Sequence, residues 1–256
     1  MRTSLAPGLL DAGLKNFRRG QVDLRLFEVG KVFFHSSAEL PEERLAVGAL
    51  LSGAGEPGLW GKGRQADFHD ARGAVEALLE RAGIEHARFV AEGASPFLHP
   101  GASARVLWEK GVLGEVGRLH PEVAGRLELP ENLYLLELDG GEMLRAAAGR
   151  ARTFQPLPRF PGVSRDLAVV VGETIEAARL VEEIRTIPNE GLQGTLRDIA
   201  IFDVYRGEGI EEGKKSVGLR FFYQAEDRTL TDAEVNAFQE TILSRLSGTF
   251  GAGLRT

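Results

Sequence analysis

The chain has 256 residues, 43% of them hydrophobic, enough for two moderate cores and therefore more naturally two domains than one. It has no cysteine, which excludes disulfides and thiolate metal sites, and its net charge of -6 argues against a protein that holds nucleic acid by bulk positive field. No apolar run of about 18 residues occurs and the N-terminus lacks a basic-then-apolar signal, so a soluble, cytoplasmic protein is expected.

The first predicted element is a helix in APGLLDAGLKNFRRG (6–20), where Leu9, Leu10, Leu14 and Phe17 form an apolar stripe and basic residues gather at the C-terminal end. VDLRLFEVGKVFF (22–34) and RLAVGALLS (44–52) alternate, which predicts an antiparallel strand pair. GAGEPG (53–58) fits GxGxxG in form only. Pro57 and the following GLWGKG leave no helix N-terminus to receive a phosphate. ADFHDARGAVEALLERAG (66–83) reads as a helix ending at Gly83, and ARVLWEKGVLGEVGRLH (104–120) as a hairpin. His99 and His120 each precede a proline, where a turn or packing role outweighs catalysis. The carboxylate runs ELPEE and EGIEEG read as solvated loop charges, with magnesium as the lesser alternative.

The small-residue stretch at 146–149 then passes into Pro156, Pro158 and Pro161, the composition of a linker entering a strand. This divides the chain into 1–152 and 153–256. After it, DLAVVV (166–171) predicts a buried strand, and TIEAARLVEEIRTIP (174–188) a helix stopped by Pro188. TLRDIAIFDVY (195–205) and KSVGLRFFY (215–223) predict a hairpin joined by RGEGIEEG. TLTDAEVNAFQETILSRL (229–246) opens with a capping box, Thr231 and Glu234, and a staple, Leu230 and Val235. With the terminal FGAGLRT the order is βαββαβ, a ferredoxin-like α+β domain with both helices on one face of an antiparallel sheet.

Strand alternation assigns Phe202, Val204, Val217, Leu219 and Phe221 to the core and Asp203, Tyr205, Ser216 and Arg220 to the open face. A solvated face with ordinary cross-strand pairs is the bland interpretation. Residues from 154 onward carry 12 Lys+Arg against 16 Asp+Glu, so any RNA contact must be local and shape-directed.

RFPGVSRDLAVVV, IFDVYRGEGIEEGKKSVGLRFFYQAEDRTLTDAEV and FGAGLR resemble the ferredoxin-like anticodon-binding domain that closes the β subunit of bacterial phenylalanyl-tRNA synthetase. MRTSLAPGLLDAGLKNFRRG, LRLFEVGKVF, DFHDARGAVEALL and LHPEV resemble blocks of that subunit's synthetase-like module. The family's subunit is about three times longer, so the resemblance implies its C-terminal part, beginning inside an incomplete class II synthetase-like antiparallel sheet with helices. It also implies an α-subunit partner in an α2β2 ligase, the tRNA(Phe) anticodon stem-loop as ligand, and neither membrane nor DNA binding. The strand after FEVGKVF continues as FFHSS without the arginine that contacts ATP in catalytic relatives. No cofactor is therefore expected on this chain, ATP and Mg2+ belong to the complete synthetase, and this chain is expected to be non-catalytic alone.

The resemblance places RNA contacts at Asp203, Tyr205, Ser216 and Arg255, with Tyr205 stacking on a base, Asp203 and Ser216 bonding base edges, and Arg255 reaching a base or phosphate. Lys214 and Lys215 are added as loop cations near the RNA backbone. Two other classes remain open on this fold: an amino-acid-binding regulatory domain, and a purely structural assembly module. An incomplete first module is also expected to expose apolar surface and self-associate.

Overall fold

A computed structural model of the chain describes residues 1–37, 39–54, 64–109, 111–149, 157–188 and 194–255. It forms two compact units, Met1–Arg152 and Thr153–Thr256. Most of the GAGEPG stretch, and the junction at Thr153 itself, lie outside the described residues.

In the first unit the elements run α1 (Ala6–Phe17), β1 (Leu24–Phe34), β2 (Glu42–Ser52), α2 (Phe68–Ala82), β3 (Arg88–Val90), β4 (Leu98–Trp108), β5 (Gly111–Leu119), α3 (Pro121–Arg126), β6 (Leu133–Asp139) and α4 (Gly140–Ala148). The strands make one antiparallel sheet in the order β1-β2-β6-β5-β4-β3. Helices cover both faces. Leu5 and Leu9 at α1 pack with Leu50, Leu133 and Leu135, while Val75 and Leu79 of α2 pack with Tyr134, Leu136 and Leu138. Two-sided burial explains why the central strand β6 reads LYLLELD, almost without alternation. Its one interior carboxylate, Glu137, accepts hydrogen bonds from the Ser4 hydroxyl and the Leu5 amide, each at 2.8 Å. α2 starts with a capping box between Asp67 and Asp70 and stops at Gly83, whose φ of 73° is a left-handed cap. β1 lies at the sheet edge and leaves Phe27 77% exposed, beside the exposed Val29.

The second unit contains β7 (Val163–Gly172), α5 (Ala177–Arg185), β8 (Leu196–Tyr205), β9 (Lys214–Tyr223), α6 (Asp232–Phe250) and β10 (Gly253–Leu254). Its antiparallel sheet has the order β10-β7-β9-β8, the ferredoxin-like arrangement expected. Leu167, Val169, Val171, Val217, Leu219, Phe221 and Tyr223 meet Leu180 and Ile184 of α5 and Val235, Ile242 and Leu246 of α6. The capping box at Thr231 and Glu234 is present. α6 runs beyond the predicted Leu246 to Phe250 because the residue able to end it, Gly251 in left-handed conformation, comes later. α5 begins at Ala177, after the turn at Gly172–Ile175.

The β8–β9 register shifts twice, between Leu196 and Asp198 and between Ile201 and Asp203, and the second shift changes the reading of the open face. Ile201 pairs with Leu219 but Asp203 pairs with Gly218, leaving Phe202 as the extra residue of a β-bulge. Phe202, expected in the core, therefore joins Asp203 on the open face and is 50% exposed. Val204 resumes the core-side register opposite Val217, yet on this edge strand it too remains 40% exposed.

Candidate nucleic-acid interface

Each strand of the second unit sends alternate residues to the face without helices. β7 contributes Asp166, Ala168 and Val170, which pair in register with Arg220, Gly218 and Ser216 of β9. β8 contributes Phe202, Asp203 and Tyr205, with Asp203 opposite Gly218 and Tyr205 opposite Ser216. The short β10 returns the chain to the far edge of the sheet, where the Arg255 amide donates to the Ala168 carbonyl at 3.0 Å. From there the Arg255 side chain crosses the face, and its guanidinium carbon lies 4.4 Å from the centre of the Tyr205 ring. Four predicted residues, distant in sequence, are thus gathered by topology: Asp203, Tyr205, Ser216 and Arg255.

They are not equally available. Asp203 and Arg255 are exposed, and Tyr205 is half-buried, donating its hydroxyl hydrogen bond to the Glu208 carbonyl at 3.2 Å. Ser216 is only 2% exposed.

The two lysines depart from the expectation of loop cations. Lys214 and Lys215 are the first residues of β9, not of the loop. Lys214 is exposed but forms an ion pair with Glu211, whose carboxyl it holds below the usual range through a hydrogen bond. Lys215 alternates to the helix-covered side, is 8% exposed, and donates to the Glu173 carbonyl at 2.7 Å. Its ammonium ties the start of β9 to the turn after β7. In the connecting loop, Gly207, Gly209 and Gly213 all take positive φ, and Arg206 pairs with Glu173 at 2.9 Å. The glycines serve the turn.

A second arginine–aromatic pair occupies the same face and was hidden from sequence reasoning by the bulge. Arg220 makes two 2.7 Å hydrogen bonds to the Asp166 carboxylate and lies 5.1 Å from the centre of the Phe202 ring. The hydrogen bonds from Arg220 lower the Asp166 pKa and raise that of Arg220. The signal available in sequence was Gly218. A Cβ there would stand 2.8 Å from the Phe202 ring, so the glycine leaves room for the ring to lie across the sheet.

The first unit offers weaker chemistry. A cavity of about 680 Å3 is lined by Glu42, Glu43, Glu109, Asp139 and Glu142, with Arg44 and Arg145 as its cations. Arg44 pairs with Glu42 and Arg145 with Glu142, so size alone recommends this cavity and its charge does not suit a phosphate. The Leu98–Leu119 pairing brings His99 and His120 to a ring separation of 6.3 Å, a proximity their sequence spacing concealed. Each Nδ1 accepts a backbone amide, from Gly101 and Glu122 respectively, which gives both rings turn-forming or capping work. Among the described residues no group of three or more His, Cys, Asp or Glu could hold a metal, and no helix is long and apolar enough to cross a membrane.

Residues 1–140 match the family described as phenylalanyl tRNA synthetase beta chain CLM domain, and residues 158–255 match the ferredoxin-fold anticodon binding domain. The phenylalanine–tRNA ligase beta subunit of Moorella thermoacetica is 41% identical over 255 residues, covering all of this chain and 31% of that protein. The corresponding subunit of Syntrophotalea carbinolica is 38% identical over 257 residues with the same coverage. The chain thus spans about a third of the length of the curated relatives it matches. A solved pyrrolysyl-tRNA synthetase from Desulfitobacterium hafniense is 17% identical and covers 58% of this chain and 50% of its own. Its TM-score is 0.42.

Proposed function

The chain belongs to the phenylalanyl-tRNA synthetase β-chain family, and from that premise we propose that the open face of its second unit binds the anticodon stem-loop of tRNA(Phe) during ATP-dependent aminoacylation. The observation that carries this proposal is the convergence of Tyr205, Ser216 and Arg255 from three separate strands or their ends. Tyr205 stacks on an unpaired base, Asp203 and the uncovered Ser216 hydroxyl bond base edges, and the displaced Arg255 guanidinium takes a base or a phosphate.

Energetics favour that exchange. An exposed cation–π contact is worth about 0.5–1 kcal/mol, whereas base–aromatic stacking contributes about 1–3 kcal/mol. A base therefore replaces Arg255 on the ring at net gain, and the freed cation gains a new acceptor. Because the unit lacks an overall positive field, affinity from this face alone is modest. The rest comes from other parts of the synthetase.

The first unit serves assembly with the α subunit, and the cavity beside Glu42 and Asp139 suits a phosphate poorly because Arg44 and Arg145 are paired with Glu42 and Glu142. ATP and Mg2+ act in the complete cytoplasmic ligase and not on this chain.

Titration of a fluorescently labelled anticodon stem-loop with the 256-residue chain tests the proposal. We expect saturable binding that weakens with salt, discriminates against an equally long RNA with a scrambled loop, and falls about 5-fold to 100-fold in Tyr205→Ala. Equal binding of both RNAs, or of both proteins, refutes it.

A further inference from the structure

The bulge in β8 does more than interrupt a pattern. It turns two consecutive side chains, Phe202 and Asp203, to the same open face, where strict alternation allows only one. The missing Cβ of Gly218 leaves room for the tip of the Phe202 ring, and the Arg220 guanidinium, bonded to both oxygens of Asp166, lies 5.1 Å from the centre of that ring. The outcome parallels the Tyr205 arrangement: an aromatic on β8 with a guanidinium against its ring.

The Phe202 ring reaches the Gly218 position and Tyr205 stands opposite Ser216, two residues further along β9, or roughly 7 Å along the strand. Asp203 stands between them. The pairs differ in one respect. The Arg255 guanidinium is held by its contact with the Tyr205 ring, whereas that of Arg220 also makes two hydrogen bonds to the Asp166 carboxylate.

We propose that Phe202, flanked by the anchored Arg220, is a second base-stacking position, so that the open face holds two successive unpaired nucleotides, one on Tyr205 and the next on Phe202. This rests on the RNA-binding role of the face proposed above. The chemistry favours a nucleobase over an aliphatic side chain. The exposed ring supplies a stacking face, while the guanidinium beside it supplies N–H donors for base oxygens and ring nitrogens.

The test uses the 256-residue chain and the labelled anticodon stem-loop, with Phe202→Ala, Phe202→Leu, Phe202→Tyr and Tyr205→Ala compared in one titration. Phe202→Leu keeps apolar cover over Gly218 but removes the π-face. We expect about 5-fold or greater weakening in Phe202→Ala and Phe202→Leu, with wild-type affinity in Phe202→Tyr. Thermal melting of the leucine and tyrosine variants should match wild type. A wild-type affinity in Phe202→Leu, with Tyr205→Ala still impaired, assigns Phe202 to covering the sheet and overturns this inference alone. Absence of binding by the wild-type chain overturns the RNA-binding role itself, and this inference with it.

Discussion

The two sheets solve the same problem differently. In the first unit both faces are covered by helices, and the central strand β6 is apolar on both sides. In the second unit one face is covered by α5 and α6, and the other by the sheet's own long side chains. Phe202, Tyr205, Arg220 and Arg255 share that face with the small residues Ala168, Ser216 and Gly218. A helix layer cannot leave without unfolding the unit. A side-chain layer can rearrange for a ligand at the cost of about one exposed contact, which is why the binding proposal falls on the second sheet despite the larger cavity in the first.

This contrast can be broken first at the helix-covered side of the second sheet. Phe221 is fully buried there, and Phe221→Ala should destabilise the unit by about 3–5 kcal/mol, read from amide exchange in β7 and β9. A loss below about 1 kcal/mol would mean that this face is no more fixed than the other.

Next in size is a pH effect on the same face. Burial pushes the Tyr223 hydroxyl up to about 12, the opposing hydrogen bond from Gln239 being the smaller influence. The unfolded phenol ionises near 10, so the neutral folded form contributes stability that is fully present below about pH 10 and is lost as pH rises toward 12. The loss amounts to about 3 kcal/mol, and a pH series of urea unfolding should show it in wild type but not in Tyr223→Phe.

Two glycines sharpen the comparison. A Cβ at Gly114 in the first sheet would stand 2.2 Å from the Glu137 carbonyl oxygen, a backbone atom that cannot give way. At Gly218 it meets the tip of the Phe202 ring, which can. Gly114→Ala should therefore cost about 1–3 kcal/mol and Gly218→Ala less than about 1 kcal/mol, by chemical denaturation. Gly218→Ala should nonetheless weaken RNA binding, because the ring it displaces belongs to the interface. The smallest expected effect is at Lys215. With its ammonium engaged by the Glu173 carbonyl on the helix side, Lys215→Met should leave the salt dependence of RNA affinity unchanged. A reduced slope would restore it to the interface.

Much of the second unit was legible from sequence because its signals are local. A capping box opened α6, and period-two alternation separated most of β9 correctly. Alternation could not anticipate the bulge at Phe202, since an inserted residue depends on pairing with Gly218 rather than on composition. Lys215 was read as a loop cation near the RNA backbone, whereas it lies in β9 and its ammonium bonds the Glu173 carbonyl. In the first unit β6 escaped notice for the opposite reason: burial on both faces erases periodicity. The Arg255–Tyr205 contact lay beyond any local pattern, because only the return of β10 to the sheet edge brings the terminus across the face.

Photocross-linking an anticodon stem-loop of tRNA(Phe) to the chain, followed by peptide mapping, addresses the displaceable face most directly. Cross-links should concentrate on peptides carrying Phe202, Tyr205 and Arg255, and the cross-link assigned to residue 205 itself should disappear in Tyr205→Ala. Cross-links confined to α5, α6 or the first unit would contradict the assignment of RNA binding to this sheet.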